Sequence, residues 1–435
     1  MLEQVPVEKY YRRPKGGCAW QNLPELIFII AAAICLLNSE SFAFSKEKPP
    51  IKFEFDRQIR VKLGAYDSLA VSSSGEMIVE CYRDNSRAEI YYTSSDIDIH
   101  KNRKGITILD NNGILAANLS SVLFRPRFPN VFLDFDGNCY RGNIECDIDA
   151  NSSDNLRIFN LIDIELYLKG VLPGEIGDRS EAEYEAVKAQ AIAARTYAVW
   201  RLSTQPDDKH LKNSIDDQLY LGASTELDLL NKAVEETKGL IMTYDKMPIA
   251  AYYHAVCGGS TAPIEKIWDS RKIPYLRGVV DGDYCQWAKT FFWNEDFSAA
   301  DLEKNLSKYF GQKSELPRKG FGKIQSIKFK KDNSIGRMVE LKVKTTTGTF
   351  KVENDQIRWA LKRPSAPGSI LPSTRFTYRV KKSQGSIAAL ELVGAGNGHG
   401  IGMCQCGAIG RARNGVACEK ILKTYYKGIT IEKLY

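Results

Sequence analysis

One carboxylate stands where packing has little use for it. Glu175 follows Pro173-Gly174 and precedes Gly177 in "YLKGVLPGEIGD". A loop of that flexibility rarely needs an acid for stability, so Glu175 reads as a chemical group. The helix-like run that follows is rich in alanine. Its Lys188 and Arg195 are seven residues apart, which at 100° per residue places them within about 20° of one face. Two readings of that face stand together: a solvated stripe, or a positive wall beside Glu175. Gln190 belongs to a packed polar network on either reading.

A second group lies in "GNGHGIGMCQCGA", where glycines surround His399 and Gln405. Such a loop lets backbone approach a ligand closely. It lacks the Lys-Ser/Thr of a phosphate loop, so nucleotide binding is a weak reading. A lone histidine is more often structural than catalytic, but His399 sits in a flexible loop, where function concentrates. The third group is His254-x-x-Cys257 with Cys285 further on. Zinc takes four N or S ligands in a tetrahedron. These three offer part of a set, and His399, Cys404 or Cys406 offers a fourth. The spacing fits no standard finger, so zinc, a disulfide and free thiols all stay open.

The elements that must hold these groups are legible. Ser180 and Glu183 have capping-box spacing, which places a helix from about Glu181 to Leu202, stopped at Pro206. "AVEETKG" predicts a helix ending at Gly239, and "LIMTY" and "PIAAYYH" a hairpin through Asp245-Lys246. Residues 296–310 read as an amphipathic helix, and residues 323–390 as a β-rich subregion. The C-terminal glycine-rich loop leads into a helix. Residues 51–155 form a β-rich N-terminal module, with "IRVKLG", "LAVSS", "EMIVECY" and "VFLDF" as strands. No catalytic constellation stands out there, and His100 reads as exposed. From Leu156 the texture changes, and "NLIDIELYLKGVL" predicts a short helix. The fold class expected is α+β, with a mixed catalytic core over 156–435.

Composition sets the bounds. The chain has 435 residues, 43% hydrophobic and 26% charged, with a net charge of +7. That is a globular chain long enough for two or three domains. The charge gives a mild bias toward acidic polymers, and no compact basic run argues for nucleic acid.

The N-terminus points to export. Lys9, Arg12, Arg13 and Lys15 precede the apolar run Leu26 to Leu37. That run is short for a membrane span, which needs about 20 residues, and suits a signal-peptide core with cleavage after Ala43. An uncleaved anchor over 1–43 is the alternative, and residues 44–50 read as a linker. Cys35 is a poor lipid-attachment cysteine, because Ile34 precedes it. The body is therefore expected in the periplasm or cell envelope, where an even set of eight cysteines beyond the leader is compatible with disulfides.

From about Tyr140 to Tyr435 the chain resembles the stage II sporulation protein D family (the SpoIID/LytB domain). The resemblance rests on "YLKGVLPGEI", "AVKAQAIAARTYAV", "DDQLYLGASTE", "AVEETKGLIMTYDKMPIAAYYHAVCGGST", "IWDSRKIPYLRGVVDGDYC", "GHGIGMCQCGAIG" and "ILKTYYKG", in that order. It implies action on peptidoglycan. One branch of the family resembles lytic transglycosylases, which cut between MurNAc and GlcNAc and leave a 1,6-anhydro sugar. Another is known as enhancers of cell-wall amidases. Glu175 matches the family's essential glutamate, and Lys188 and Arg195 match its basic helix residues.

Ordinary glycosidases need two carboxylates. A lytic transglycosylase needs one, because the sugar's own 6-hydroxyl is the nucleophile. The acid must begin protonated, which a dry pocket favours. Lys188 and Arg195 are then expected on substrate hydroxyls, acetamido groups or the lactyl carboxylate, with His399 and Gln405 also on substrate. The chain departs from the family at Cys404 (usually Ser), Cys406 (usually aromatic) and Ser260 (often His). The extra cysteines strengthen the metal reading: a structural Zn2+ on His254, Cys257 and Cys285, with no metal required for catalysis.

Overall fold

The computed structural model describes residues 55–84, 86–148, 155–204 and 209–435. The expected leader, its Cys18 and Cys35, the linker and Pro206 lie outside the described residues. The protein is α+β, and its chain divides into two compact units. One takes residues 55–170, 209–226 and 432–435; the other takes 171–204 and 227–431.

The first unit is β-rich. Its larger sheet has the order Leu211–Lys212, Gln58–Tyr66, Leu156–Asp163, Asn143–Ile148, Ser121–Pro126, Met77–Arg83, Ser86–Thr93. The second sheet has the order Asn138–Tyr140, Leu133–Phe135, Ser68–Ser73, Ile97–Asn102, Gly105–Asp110, Gly113–Leu119. Alternation builds both. Ile97 and Ile99 are buried while Asp98 and His100 are exposed, so His100 is a surface residue, as its charged neighbours imply. Val61, Val79, Val122 and Phe124 of one sheet and Val71, Ile106 and Ile108 of the other are fully buried.

The reading of "NLIDIELYLKGVL" as helix is corrected in its first part. Leu156–Asp163 is a strand, paired antiparallel with Gln58–Tyr66. Its burial alternates, with Leu156, Ile158, Asn160 and Ile162 on the inner face, and Phe159 buried between them. Asp163 then accepts from the Glu165 N–H at 2.8 Å, and helix α1 (Ile164–Glu175) begins. In this unit Tyr220 donates to Asn160 at 2.7 Å and Tyr167 to Gln218 at 3.2 Å. The "DDQLYLGASTE" stretch therefore fastens α1's first turns to the sheet.

The second unit contains the end of α1 and the long helix α2 (Tyr184–Thr204), entered through a 3-10 turn at Glu181–Glu183. The Ser180 N–H donates to Glu183 at 3.0 Å, as the capping spacing predicts. Helix α3 (Asp228–Glu236) leads to Leu240–Tyr244, paired with Met247–Pro248. Asp245 and Lys246 have φ of +49° and +63°, the left-handed pair of a tight hairpin turn. The second strand is shorter than the sequence suggests. The chain leaves it at Ile249 and forms a separate parallel ladder, Tyr253–His254 with Met403–Cys404. Beyond it lie α4 (Ala299–Gln312), α5 (Gln356–Ala360), and two three-stranded sheets. These are Phe292–Ser298, Ser386–Ala395 and Phe376–Ser383, and Ile324–Asp332, Arg337–Thr345 and Thr349–Glu353. Helices α6 (Gln405–Arg413) and α7 (Cys418–Tyr425) close the unit. Among the described residues no helix is long and apolar enough to cross a membrane.

Candidate functional site

Glu175 is the last residue of α1 rather than part of a free loop. Pro173 lies inside that last turn and contributes no N–H to it. The Ile176 N–H still closes on Leu172 O at 2.9 Å, and Gly177 then turns the chain at φ +72°. A left-handed glycine just past the end is how such helices stop. The half-buried Glu175 side chain thus leaves from a fixed backbone.

The partner that meets it comes from the other end of the chain. Gln405, the first residue of α6, donates through Nε2 to Glu175 O at 2.9 Å and approaches Glu175 Oε2 at 3.5 Å. The same amide lies 3.5 Å from Oε1 of Gln190, which is fully buried in α2. The Gln190 Nε2 is buried without a hydrogen-bond partner. The structure therefore brings Glu175, Gln405 and Gln190 together. Alanines at 186, 189, 191, 193, 194 and 198, all buried, let neighbouring chain approach α2 at this point.

Lys188 and Arg195 part company. Arg195 is fully buried, and its guanidinium donates to Val234 O and Leu240 O, both at 3.2 Å, and to Thr237 at 3.4 Å. It ties α2 to the carbonyls at the end of α3, where a cation also suits the helix dipole. The idea of a basic stripe on an accessible face is thereby corrected for Arg195. An alanine-rich helix draws its neighbours so close that a long side chain on that face is enclosed. Lys188 remains nearer the surface, paired with Glu185 and 5.2 Å from the Tyr184 ring centre.

His399 is held on both nitrogens. The Ile401 N–H donates to Nδ1 at 3.0 Å, so Nε2 carries the proton and donates to Tyr253 O at 2.9 Å. Burial pushes its pKa down to about 4, so the ring is neutral. Trp268 and His254 lie against it, at 5.0 and 5.3 Å between ring centres. What His399 can still offer a ligand is a ring edge beside aromatic residues.

The cysteines form a separate cluster. Cys257, Asp281, Cys285 and Cys404 are buried, with their four donor atoms within 4.8 Å of one another. Cys257 Sγ is 3.5 Å from Cys285 Sγ and 3.4 Å from Asp281 Oδ2. Cys404 Sγ accepts from the Cys257 N–H at 3.2 Å and the Gly407 N–H at 3.3 Å. The three thiols are free, as are Cys81, Cys146, Cys406 and Cys418. The Cys285 thiol is pushed down by hydrogen bonds from Cys257 and Cys404, while burial pushes Cys404 up. A Cβ on Gly407 would lie 2.0 Å from Asp281 Oδ2, so only glycine admits this approach. The donor set can hold a metal ion.

His254 stands apart from that cluster. Its Nδ1–H donates to Ile401 O at 3.1 Å, while its buried Nε2 has no partner. Burial, then the neighbouring His399, pushes its pKa well down. The sequence-based set of His254, Cys257 and Cys285 is thus split: two members meet, and Asp281 and Cys404 join them. Asp281 was passed over, although "DGDYC" places it four residues before Cys285.

The comparisons follow the same map. A family model described as stage II sporulation protein matches residues 152–244, and a domain of unknown function (DUF8618) matches 283–402. An uncharacterised protein of Brachyspira hyodysenteriae is 33% identical over 283 residues, 64% of this chain and 69% of that protein. The amidase enhancer of Bacillus subtilis is 30% identical over 61% of this chain, which spans only 40% of that larger protein. Stage II sporulation protein D of Bacillus subtilis is 28% identical over 62% of this chain and 75% of its own length. The chain belongs to the stage II sporulation protein D family.

Proposed function

We propose that this is an exported cell-wall enzyme, a lytic transglycosylase that cuts peptidoglycan glycan strands between MurNAc and GlcNAc, acting on peptide-stripped strands. The observation that carries the reading is the placement of Glu175. A glutamate ends a helix, with an amide from Gln405 anchoring its backbone. The helix end fixes where the carboxyl group leaves the backbone. Glu175 gives its proton to the glycosidic oxygen as the C1–O bond breaks. The sugar's 6-hydroxyl closes on C1, and its proton returns to the same carboxylate. One acid suffices because no water is activated, in contrast to hydrolytic glycosidases. Gln405 and His399 line the substrate, and Lys188 reaches its polar groups from α2.

The catalytic domain is taken as residues 156–435, carrying the β-rich subregion 323–390, with the module 51–155 ahead of it. The reaction needs no metal, and a Zn2+ ion on the buried cysteines is structural. Residues 1–43 direct export to the periplasm or envelope, as a cleaved signal or an anchor.

A second reading has an observation of its own. A relative at 30% identity is named an amidase enhancer, which favours a non-catalytic wall binder that stimulates an amidase. The deciding experiment is mass spectrometry of peptide-stripped glycan incubated with the protein. The expected result is 1,6-anhydroMurNAc ends that disappear with Glu175→Gln. No such ends from the folded wild-type protein, with stimulation of an added amidase, would establish the enhancer instead.

A further inference from the structure

We infer that Cys257, Asp281, Cys285 and Cys404 close around one zinc ion as a coordinatively complete Cys3Asp site. The inference rests on the buried donor set and is independent of the glycan reading.

Geometry is the first support. Zinc takes thiolates at about 2.3 Å and carboxylate oxygens at about 2.0 Å, so a tetrahedron spaces two sulphurs by about 3.8 Å and a sulphur and an oxygen by about 3.5 Å. The protein holds Cys257 and Cys285 sulphurs at 3.5 Å and Cys257 sulphur and Asp281 Oδ2 at 3.4 Å. All four donors fit within the 4.8 Å span. These separations suit a shared ion, and the sulphurs stand far beyond the disulfide bond length of about 2.05 Å.

The surroundings supply the second support. Asp281 offers only Oδ2 to the cluster. Its Oδ1 is taken by Arg411 at 2.8 Å and by Tyr425 at 2.7 Å. A carboxylate with one oxygen inward and the other held by outer partners is the usual arrangement of a ligating acid. Backbone N–H groups of Cys257 and Gly407 both donate to Cys404 Sγ. The latter bond places that sulphur at the N-terminus of α6, where negative charge is favoured. Neutral thiols need no such provision.

Charge is the third. Arg337 is 1% exposed, donates to Cys257 O at 3.2 Å, and keeps Nε and Nη1 buried without hydrogen-bond partners. Arg411 is the salt-bridge partner of Asp281. With three neutral thiols, Arg337, Arg411 and the nearby Arg375 would face a single cluster carboxylate, and burying an excess of cations is costly. Zinc with three thiolates and a carboxylate is a doubly negative centre, which offsets that excess. All four positions come from the protein, so no site is left open for water or substrate, which marks a structural site. Its effect would be to pin Cys404, and with it the start of α6, to the segments carrying Cys257 and Cys285.

The test uses the full chain purified without chelator. The expected result is about one zinc per chain. The cobalt(II)-replaced protein should show intense near-ultraviolet thiolate-to-metal bands and the visible bands of a tetrahedral site. Asp281→Asn and Cys404→Ser should each lower zinc retention after dialysis by at least about tenfold. Cys406→Ser and His254→Asn should retain it, since neither residue belongs to the donor set. If Cys404→Ser does not fold, the wild-type cobalt band intensity still counts the thiolates. Less than about 0.2 zinc per chain would overturn the inference, whether the thiols are free or Cys257 and Cys285 are crosslinked. So would zinc kept by Asp281→Asn and lost by His254→Asn, which moves the fourth ligand to the imidazole.

Discussion

The interior around residues 293–392 and the interior around α2 solve different problems within one compact unit. The first is apolar throughout its centre: Phe297, Leu306, Phe310, Leu341, Val343, Leu390 and Leu392 are at most 1% exposed. Rings pack there at tilted angles, with Phe310 and Phe350 at 4.9 Å and Phe321 and Phe350 at 4.7 Å between centres. The second is built of alanines and buried polar groups, Gln190, Arg195 and Thr196 all being fully enclosed. Large apolar side chains maximise the surface removed from water. Small ones allow backbones to approach and leave room for directed hydrogen bonds, each of modest net value but costly to break. Stability is therefore concentrated in the first region and positioning in the second, and substitutions should separate the two.

The largest effect is expected at Glu175. Glu175→Gln should lower release of anhydro-sugar ends at least roughly a hundredfold, the usual worth of a general acid, while the melting temperature stays nearly constant. A folded variant with undiminished release would remove the acid from the mechanism. Phe310→Ala should do the reverse. Its loss leaves a cavity among Phe321 and Phe350 and should cost about 3–5 kcal/mol of stability, with release per folded molecule unchanged. Chemical denaturation of each variant, alongside a glycan assay, measures both.

How much of this was legible in the sequence follows from the same contrast. Alternation and helical periodicity reveal apolar faces, so the strands at 324–332 and 337–345 and helix α4 appear close to where the pattern puts them. The strand Leu156–Asp163 was missed because polar Asn160 holds one of its alternating inner positions and Phe159 is buried between them, which breaks the apolar alternation in the sequence. Polar burial leaves no periodic trace. Arg195 looks like a surface cation until α3 is known to cover it, and Glu175 looks like a loop residue until Pro173 is known to sit inside a helix. The Cys257–Cys285 proximity was anticipated, but the contribution of Asp281 depends on a close approach that only Gly407 permits.

Arg195 provides the intermediate case. Arg195→Ala would leave Val234 O, Leu240 O and Thr237 without their donor. Unmade buried hydrogen bonds of this kind should cost about 2–4 kcal/mol in total, read as a lowered denaturation midpoint. A stable variant with weakened glycan binding would return Arg195 to the substrate side. Acidity should also weaken this unit. His399 and His254 both have folded pKa values below their unfolded value near 6.5, His399 at about 4. A depressed value means the unfolded chain binds more protons between about pH 4 and 6.5. Their contribution is thus fully present above about pH 6.5 and is lost as pH falls toward 4. Melting temperature should drop over that window, and His399→Gln should flatten the drop.

The smallest stability effect is expected at Lys188, which tests whether one helix face holds two kinds of cation. Lys188 shares its face with Arg195, yet its partners are the nearby Glu185 and the ring of Tyr184. A local ion pair of this kind contributes only about 0.3–0.5 kcal/mol, and a cation over a partly exposed ring about 0.5–1 kcal/mol. Lys188→Ala should therefore change stability by no more than about 1 kcal/mol. If the ammonium reaches substrate, KM for glycan strands should rise by several-fold with kcat little changed, the signature of lost uniform binding. Lys188→Arg should restore much of that loss. A denaturation shift as large as that of Arg195→Ala would show that both cations are structural. The positioning role of this interior would then fall to Gln190 and Gln405, the two amides beside Glu175.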